Sequence, residues 1–238
     1  MFNLFNHETI LRQGILNFIK NTMNDFSSQS ATPTFRPFPK IGDKAPDFSA
    51  RTTLGELTLS DLRGQWAILF AHPADFTPVC TSEFIALAAA APEFAAMDCA
   101  LIGLSIDSVF SHLAWIEAIR AEFGVKIPFP IAEDPSMAVS RAYGMLDDAS
   151  ENSATIRAVY VIDPEGVIRA IQWYPPTVGR SVDELKRLLA ALQLVTARPV
   201  LTPEGWRPGE PPIAPPPEIQ RDFARLGPRW FLQEASAS

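Results

Sequence analysis

The chain has 238 residues, 47% hydrophobic and 20% charged, the balance of a soluble globular protein with room for one sizeable core and appendages. A formal net charge of −7 and a pI of about 5.0 argue against a nucleic-acid binder, and no run of Lys and Arg builds a local basic patch. Two cysteines are too few for a disulfide scaffold and fit a reducing compartment, with the cytoplasm as the default.

The chain begins MFNLFNHETILRQG, with no basic stretch leading into a clean apolar core and with Glu8 early, so no secretory or transit signal is read. Over residues 8–26, Leu11, Ile15, Ile19 and Met23 recur at helical spacing, with Asn17, Lys20, Asn21 and Asn24 on the other side. That pattern predicts an amphipathic helix that docks on its own domain or on a twin subunit. Met23 offers an alternative start. Residues 27–40, SSQSATPTFRPFPK, read as a linker. Next, WAILFAH (66–72) is a buried strand, SEFIALAAAAPEFAAM (82–97) a helix containing Pro92, and CALIGLSID (99–107) a second strand. The apolar region from Phe84 to Leu104 is broken by Pro92, Glu93 and Asp98, so no membrane span is expected there.

SVFSHLAWIEAIRAEFG (108–124) has a Ser108 cap and a Gly124 stop. IPFPIA is a short extended piece, and PSMAVSRAYG a short helix with Pro at its start and Gly at its end. TIRAVYVID and VIRAIQWY flank the turn PEG as a hairpin. SVDELKRLLAALQL (181–194) opens on a capping box. This order predicts an α/β fold with a mixed central sheet flanked by helices, of which the thioredoxin-like fold is one form. From about Ala197 the chain turns proline-rich, reading as an extended C-terminal extension anchored by Trp206, Trp230 and Phe231. The divisions expected are 1–38 (helix and linker), 39–196 (the α/β domain) and 197–238 (the extension).

The chemistry centres on FAHPADFTPVCTSEF, where Cys80 follows a strand and enters a helix. A thiol in a first helical turn faces unpaired N–H groups and the positive end of the macrodipole, which favour the nucleophilic thiolate. Thr77 stands one turn earlier, where its hydroxyl reaches the sulfur or a bound oxygen. Pro73 and Pro78 stiffen the loop. Val79, Thr81, Ser82 and Glu83 exclude a C-x-x-C pair.

The stretch from Pro73 to Glu83 resembles the peroxiredoxin motif P-x-x-x-T-x-x-C. IGLSIDSVFSHLAWI, PFPIAEDP, AYGML, TIRAVYVIDPEGVIRAIQWYPPTVGR and the C-terminal GWRPGE…PPP extend the likeness over roughly residues 40–220. The chain is similar to the one-cysteine peroxiredoxins that carry an added C-terminal domain. The resemblance implies a thioredoxin-like fold and a thiol-dependent peroxidase acting on hydrogen peroxide and organic hydroperoxides, with no cofactor. It makes Cys80 the peroxidatic cysteine, oxidised to a sulfenic acid. It makes Thr77 the residue that hydrogen-bonds thiolate and peroxide, Pro73 the shield, and Arg157 the cation that holds the thiolate and polarises the peroxide bond. His72, Val79, Glu83 and Arg180 match positions around the substrate pocket. A homodimer joined edge to edge is implied, with larger rings open. Some members add a phospholipase serine in G-x-S-x-G, but Lys44 and Ala45 occupy the matching stretch IGDKAPDF, so that activity is expected to be absent.

If Thr81–Met97 is helical it advances roughly 25 Å, at about 1.5 Å per residue, which separates Cys99 from Cys80 far beyond the roughly 7 Å between α-carbons that a disulfide allows. Cys99 is therefore read as a packed core residue, and the sulfenate as reduced by an external thiol, glutathione or a thioredoxin-like protein. Two rivals stand beside this reading: a binding module without the chemistry, and a cysteine hydrolase pairing Cys80 with His72 or His112. His112 is expected to face water. The three histidines and two cysteines show no metal-ligand spacing, and no glycine-rich phosphate loop appears.

Overall fold

A computed structural model describes residues 38–146, 154–220 and 229–235. The helix expected over residues 8–26, most of the linker and Met23 lie outside the described residues. Within them, seven strands form one sheet in the order β2-β1-β5-β4-β3-β6-β7. β3 (Trp66–Ala71), β4 (Cys99–Ser105) and β5 (Ile131–Glu133) run parallel, while β6 (Arg157–Ile162) and β7 (Ile168–Tyr174) return antiparallel beyond β3. The sheet is therefore mixed, as expected. A hairpin of β1 (Ser49–Thr52) and β2 (Gly55–Thr58), followed by a 3-10 helix Leu59–Leu62, extends the other side; the sequence reading did not include it.

Strand periodicity builds two cores from one strand. Along β3, Trp66, Ile68 and Phe70 face a cluster with Phe84, Trp115 and Leu189, while Ala67, Leu69 and Ala71 face Ile102, Tyr143 and Tyr160. The first core is closed by α1 (Pro78–Ala96), α2 (Val109–Phe123) and α4 (Val182–Ala197), the second by α3 (Ala138–Ala142) and the 3-10 helix. By length and composition α1 could cross a membrane, but here it buries Cys80, Phe84, Leu87 and Phe94 in the first core.

Ser108 and Ser181 cap α2 and α4 by accepting from the backbone N–H groups of Ser111 and Glu184. Gly124 ends α2 at φ 68°, a left-handed geometry that glycine adopts without a Cβ penalty. α1 starts at Pro78, four residues before the helix expected from Ser82, with proline at the first helical position, where its missing N–H costs nothing. Pro135 does not open α3; that short helix begins after Met137, which takes φ 59°. In the extension, Trp206 is buried and donates from Nε1 to the Glu210 carbonyl, and its own carbonyl accepts from Arg187 of α4. Phe231 departs from expectation: it is 65% exposed and packs edge-on against Trp230 instead of anchoring the chain.

Candidate active site

β3 ends at Ala71, and residues 72–77 form the loop that delivers the chain into α1. Thr77 is the N-cap, so Cys80 occupies the third helical position, among the N–H groups that have no partner within the helix. The Cys80 side chain is fully enclosed, at 0% exposure. Arg157, the first residue of β6, is buried beside it and donates from Nη1 to Cys80 Sγ at 3.3 Å and to Glu83 Oε2 at 2.7 Å. Its Nε and Nη2 donate to the Pro176 carbonyl at 2.9 and 2.7 Å, which fixes the plane of the guanidinium.

Glu83 lies one turn beyond Cys80 on α1 and is gripped from both sides. Arg180 donates to it from the backbone N–H (2.7 Å), Nε (2.9 Å) and Nη2 (2.7 Å). The remaining nitrogen, Nη1, donates to the Ala71 and Ala158 carbonyls, tying the pocket to β3 and β6. Burial pushes the Glu83 carboxyl up, but hydrogen bonds from Arg180, its charge and that of Arg157 more than offset this and hold it below the usual range. Two guanidinium groups thus face one carboxylate, and the excess positive charge lies against the sulfur. Val79 packs beside Gly179 in the loop that carries Arg180. Pro73 is half-buried in the loop before α1.

Thr77 does not cap α1 with its side chain; its hydroxyl donates instead to the Ala74 carbonyl at 2.8 Å. Phe76, between them in sequence, sits at φ 56°, a left-handed conformation that costs an L-residue about 1–2 kcal/mol and must be held by its surroundings. Its neighbour Asp75 is fixed from two sides. Its buried carboxylate accepts from His72 Nε2 at 2.9 Å and His112 Nδ1 at 2.8 Å. Burial pushes Asp75 up, but the bonds from His112 and His72 prevail and keep it far below the usual carboxylate range. Burial holds the His72 imidazole below its ordinary range, with Asp75 opposing.

His112 therefore corrects the expectation that it faces water: it is 0% exposed, on the stripe of α2 that also buries Val109, Trp115 and Ile119. The fold also brings together His72, Asp75 and His112, whose ligand-type atoms lie within 4.8 Å of one another despite the absence of metal spacing in the sequence. Their mutual hydrogen bonds account for the cluster. Among the described residues Sγ of Cys80 takes its hydrogen bond from Arg157 and from neither histidine, which removes the base that a cysteine hydrolase needs. The sequence reading gave no chemical role to Asp75 or to Asp107, whose Oδ2 accepts the Asp75 backbone N–H at 3.0 Å.

Cys99 opens β4 opposite Trp66, the first residue of β3, whereas Cys80 follows the last. Burial, with the charge of Asp98, pushes the Cys99 thiol up to about 12. Both cysteines are free.

A family model described as the AhpC/TSA family matches residues 41–171, and another described as the C-terminal domain of 1-Cys peroxiredoxin matches residues 191–221. Peroxiredoxin 2 of Caldanaerobacter subterraneus is 49% identical over 180 residues, 76% of this chain and 81% of its own. A peroxiredoxin of Thermoplasma volcanium is 45% identical over 198 residues, 81% of this chain and 97% of its own. Among solved structures, a yeast mitochondrial 1-Cys peroxiredoxin described with its glutathione/thioredoxin resolving mechanism superposes with TM-score 0.70 at 41% identity, covering 79% of this chain and 91% of that one. A Cys-to-Ser mutant of peroxiredoxin 6 from Arenicola marina gives TM-score 0.71 at 33% identity, covering 79% and 89%. The chain belongs to the AhpC/TSA family, the peroxiredoxins, and is a thiol-dependent peroxidase with a thioredoxin-like fold. Within that family its likeness is to the one-cysteine branch with the added C-terminal domain.

Proposed function

We propose that this peroxidase runs a one-cysteine cycle on Cys80. The thiolate attacks the terminal oxygen of a hydroperoxide and an S–O bond forms as the O–O bond breaks. The bonding pair leaves on the distal oxygen, which takes a proton and departs as water or an alcohol, leaving Cys80 as a sulfenic acid. Arg157 is suited to the step because its permanent charge serves both the anionic sulfur and the oxygen that gains charge in the transition state. Thr77 supplies an acceptor for the peroxide O–H, since its own hydrogen is directed to Ala74. Glu83 and Arg180 hold Arg157 in place, and Pro73 and Val79 shape the pocket.

The sulfenate is then reduced by two equivalents of an external thiol. The first forms a mixed disulfide and releases water; the second displaces Cys80. Glutathione or a thioredoxin-like protein of a cytoplasmic thiol pool fits this step, and the yeast relative's description is consistent with it. The observation that carries the one-cysteine reading is Cys99: it lies at the far end of β3 from the site, buried and strongly disposed to keep its proton. The same family likeness supports a homodimer joined along the β7 edge, where Trp173 is 49% exposed.

The test is peroxide turnover with glutathione and with a thioredoxin system, alongside dimedone trapping of the oxidised protein. Cys80→Ser abolishes turnover and trapping, whereas Cys99→Ser keeps both. Loss of turnover in Cys99→Ser, or a Cys80–Cys99 disulfide in the oxidised wild type, overturns the reading.

A further inference from the structure

We infer that Asp107, with the buried His72–Asp75–His112 cluster, is a positioning device for peroxide reduction that aims the Thr77 hydroxyl through the peptide unit joining Ala74 to Asp75. The inference rests on the role proposed for Thr77 above.

That single peptide unit carries two bonds in opposite directions. Its N–H donates to Asp107 Oδ2 at 3.0 Å, and its C=O accepts the Thr77 hydroxyl at 2.8 Å. Peptide planarity couples the two ends, so fixing the N–H fixes the direction in which the carbonyl can receive a hydrogen. Asp107 is itself fixed: Ser105 Oγ donates to the same Oδ2 at 2.8 Å and accepts the Asp107 backbone N–H at 3.0 Å. On the next atoms of the chain, the Asp75 carboxylate is locked between the His72 and His112 rings. Because an ionised carboxylate only accepts, His72 carries its hydrogen on Nε2 and His112 on Nδ1. The opposite nitrogens, His72 Nδ1 and His112 Nε2, are buried and have no hydrogen-bond partner among the described residues.

The consequence reaches the reacting atoms through Thr77. An N-cap threonine ordinarily accepts a backbone N–H of its own helix, and this one does not. With its hydrogen committed to Ala74 and no donor to its oxygen among the described residues, the oxygen is left as an acceptor one turn from Cys80. If the peptide unit rotated, the hydroxyl would be free to turn and cap α1, and the acceptor would be lost.

The experiment measures the second-order rate of Cys80 oxidation by hydrogen peroxide in the full chain. Thr77→Val tests the underlying reading; if it keeps the wild-type rate, that reading fails whatever Asp107 does. Given a loss there, Asp107→Ala is expected to slow oxidation by between about tenfold and the roughly hundredfold that a misplacement of about 1 Å can cost. Asp107→Asn keeps a carbonyl oxygen in place of Oδ2, and its rate is expected to stay within about threefold of wild type. The Asp107→Ala/Thr77→Val double variant is expected to react no more slowly than Thr77→Val, because Asp107 acts through the group already removed. A wild-type rate in Asp107→Ala, or losses that multiply in the double variant, overturns the inference. Should Asp107→Ala fail to fold, His112→Leu replaces it. His112→Asn, whose amide nitrogen stands close to the place of Nδ1, then serves as the conservative partner, and the same outcomes decide.

Discussion

At the residue scale the site holds two buried carboxylates and a buried imidazole that titrate below their ordinary ranges, and acid reads them out. Glu83 and Asp75 both keep their protons off below the usual carboxylate range, each because hydrogen-bonded cations or imidazoles outweigh burial. In the unfolded chain such groups protonate at about pH 4. As pH falls, the unfolded state therefore takes up protons first, and the stability these two carboxylates contribute, full above about pH 4, is lost below it. His72 adds an earlier and gentler slope. Its buried imidazole resists a proton that the unfolded side chain accepts at about pH 6.5, so stability starts to fall from there. The urea midpoint is expected to be flat between about pH 7 and 8, lower at about 5.5 and steeply lower below about 4. A midpoint unchanged down to about pH 3.5 would show that these groups titrate alike in both states.

At the element scale two of the three long helices, α2 and α4, begin on a serine cap and α1 does not. α4 is capped for stability: Ser181 accepts from the Glu184 N–H at 3.2 Å. Ser181→Ala is expected to cost about 1 kcal/mol and to leave peroxide turnover unchanged, measured by thermal unfolding and steady-state assay on one preparation. α1 forgoes its side-chain cap, and that exception marks the active centre. Much of this was legible in the sequence. The strand–helix order, Cys80 at a helix start and the Arg157 strand follow from periodicity, punctuation and family likeness. Pro78 announced the true start of α1, although the apolar period began later. The β1–β2 hairpin escaped notice because SARTTLGELT is short, half polar and exposed along much of its length. His112 was misjudged by its polarity. The spacing Val109, His112, Trp115, Ile119 places it on the buried stripe, but the carboxylate that makes burial tolerable is 37 residues away in sequence. Long-range pairing of that kind leaves no local trace.

At the scale of the whole molecule, β7 is an outer strand of the sheet, with Trp173 half out of the surface. Gly42 and Asp43 pair with Ile168 at the start of β7; beyond that point the edge has no strand partner among the described residues, an open edge seeks one, and a second copy of the chain is the proposed partner. Sedimentation is expected to give about twice the chain mass of 26.2 kDa, and Trp173→Glu, which sets a charge at that seam, to shift the population toward single chains. A single-chain mass for the wild type at micromolar concentration would refute it. The complete enclosure of Cys80 bears on the two halves of the catalytic cycle unequally. A hydroperoxide has only its terminal oxygen to deliver, whereas a reductant must bring a whole sulfur-bearing molecule up to the same atom. With no solvent contact at the sulfur, both steps need the surrounding loop to open, and the bulkier thiol needs the wider opening. The burial of one sulfur therefore places a steeper demand on regeneration than on oxidation.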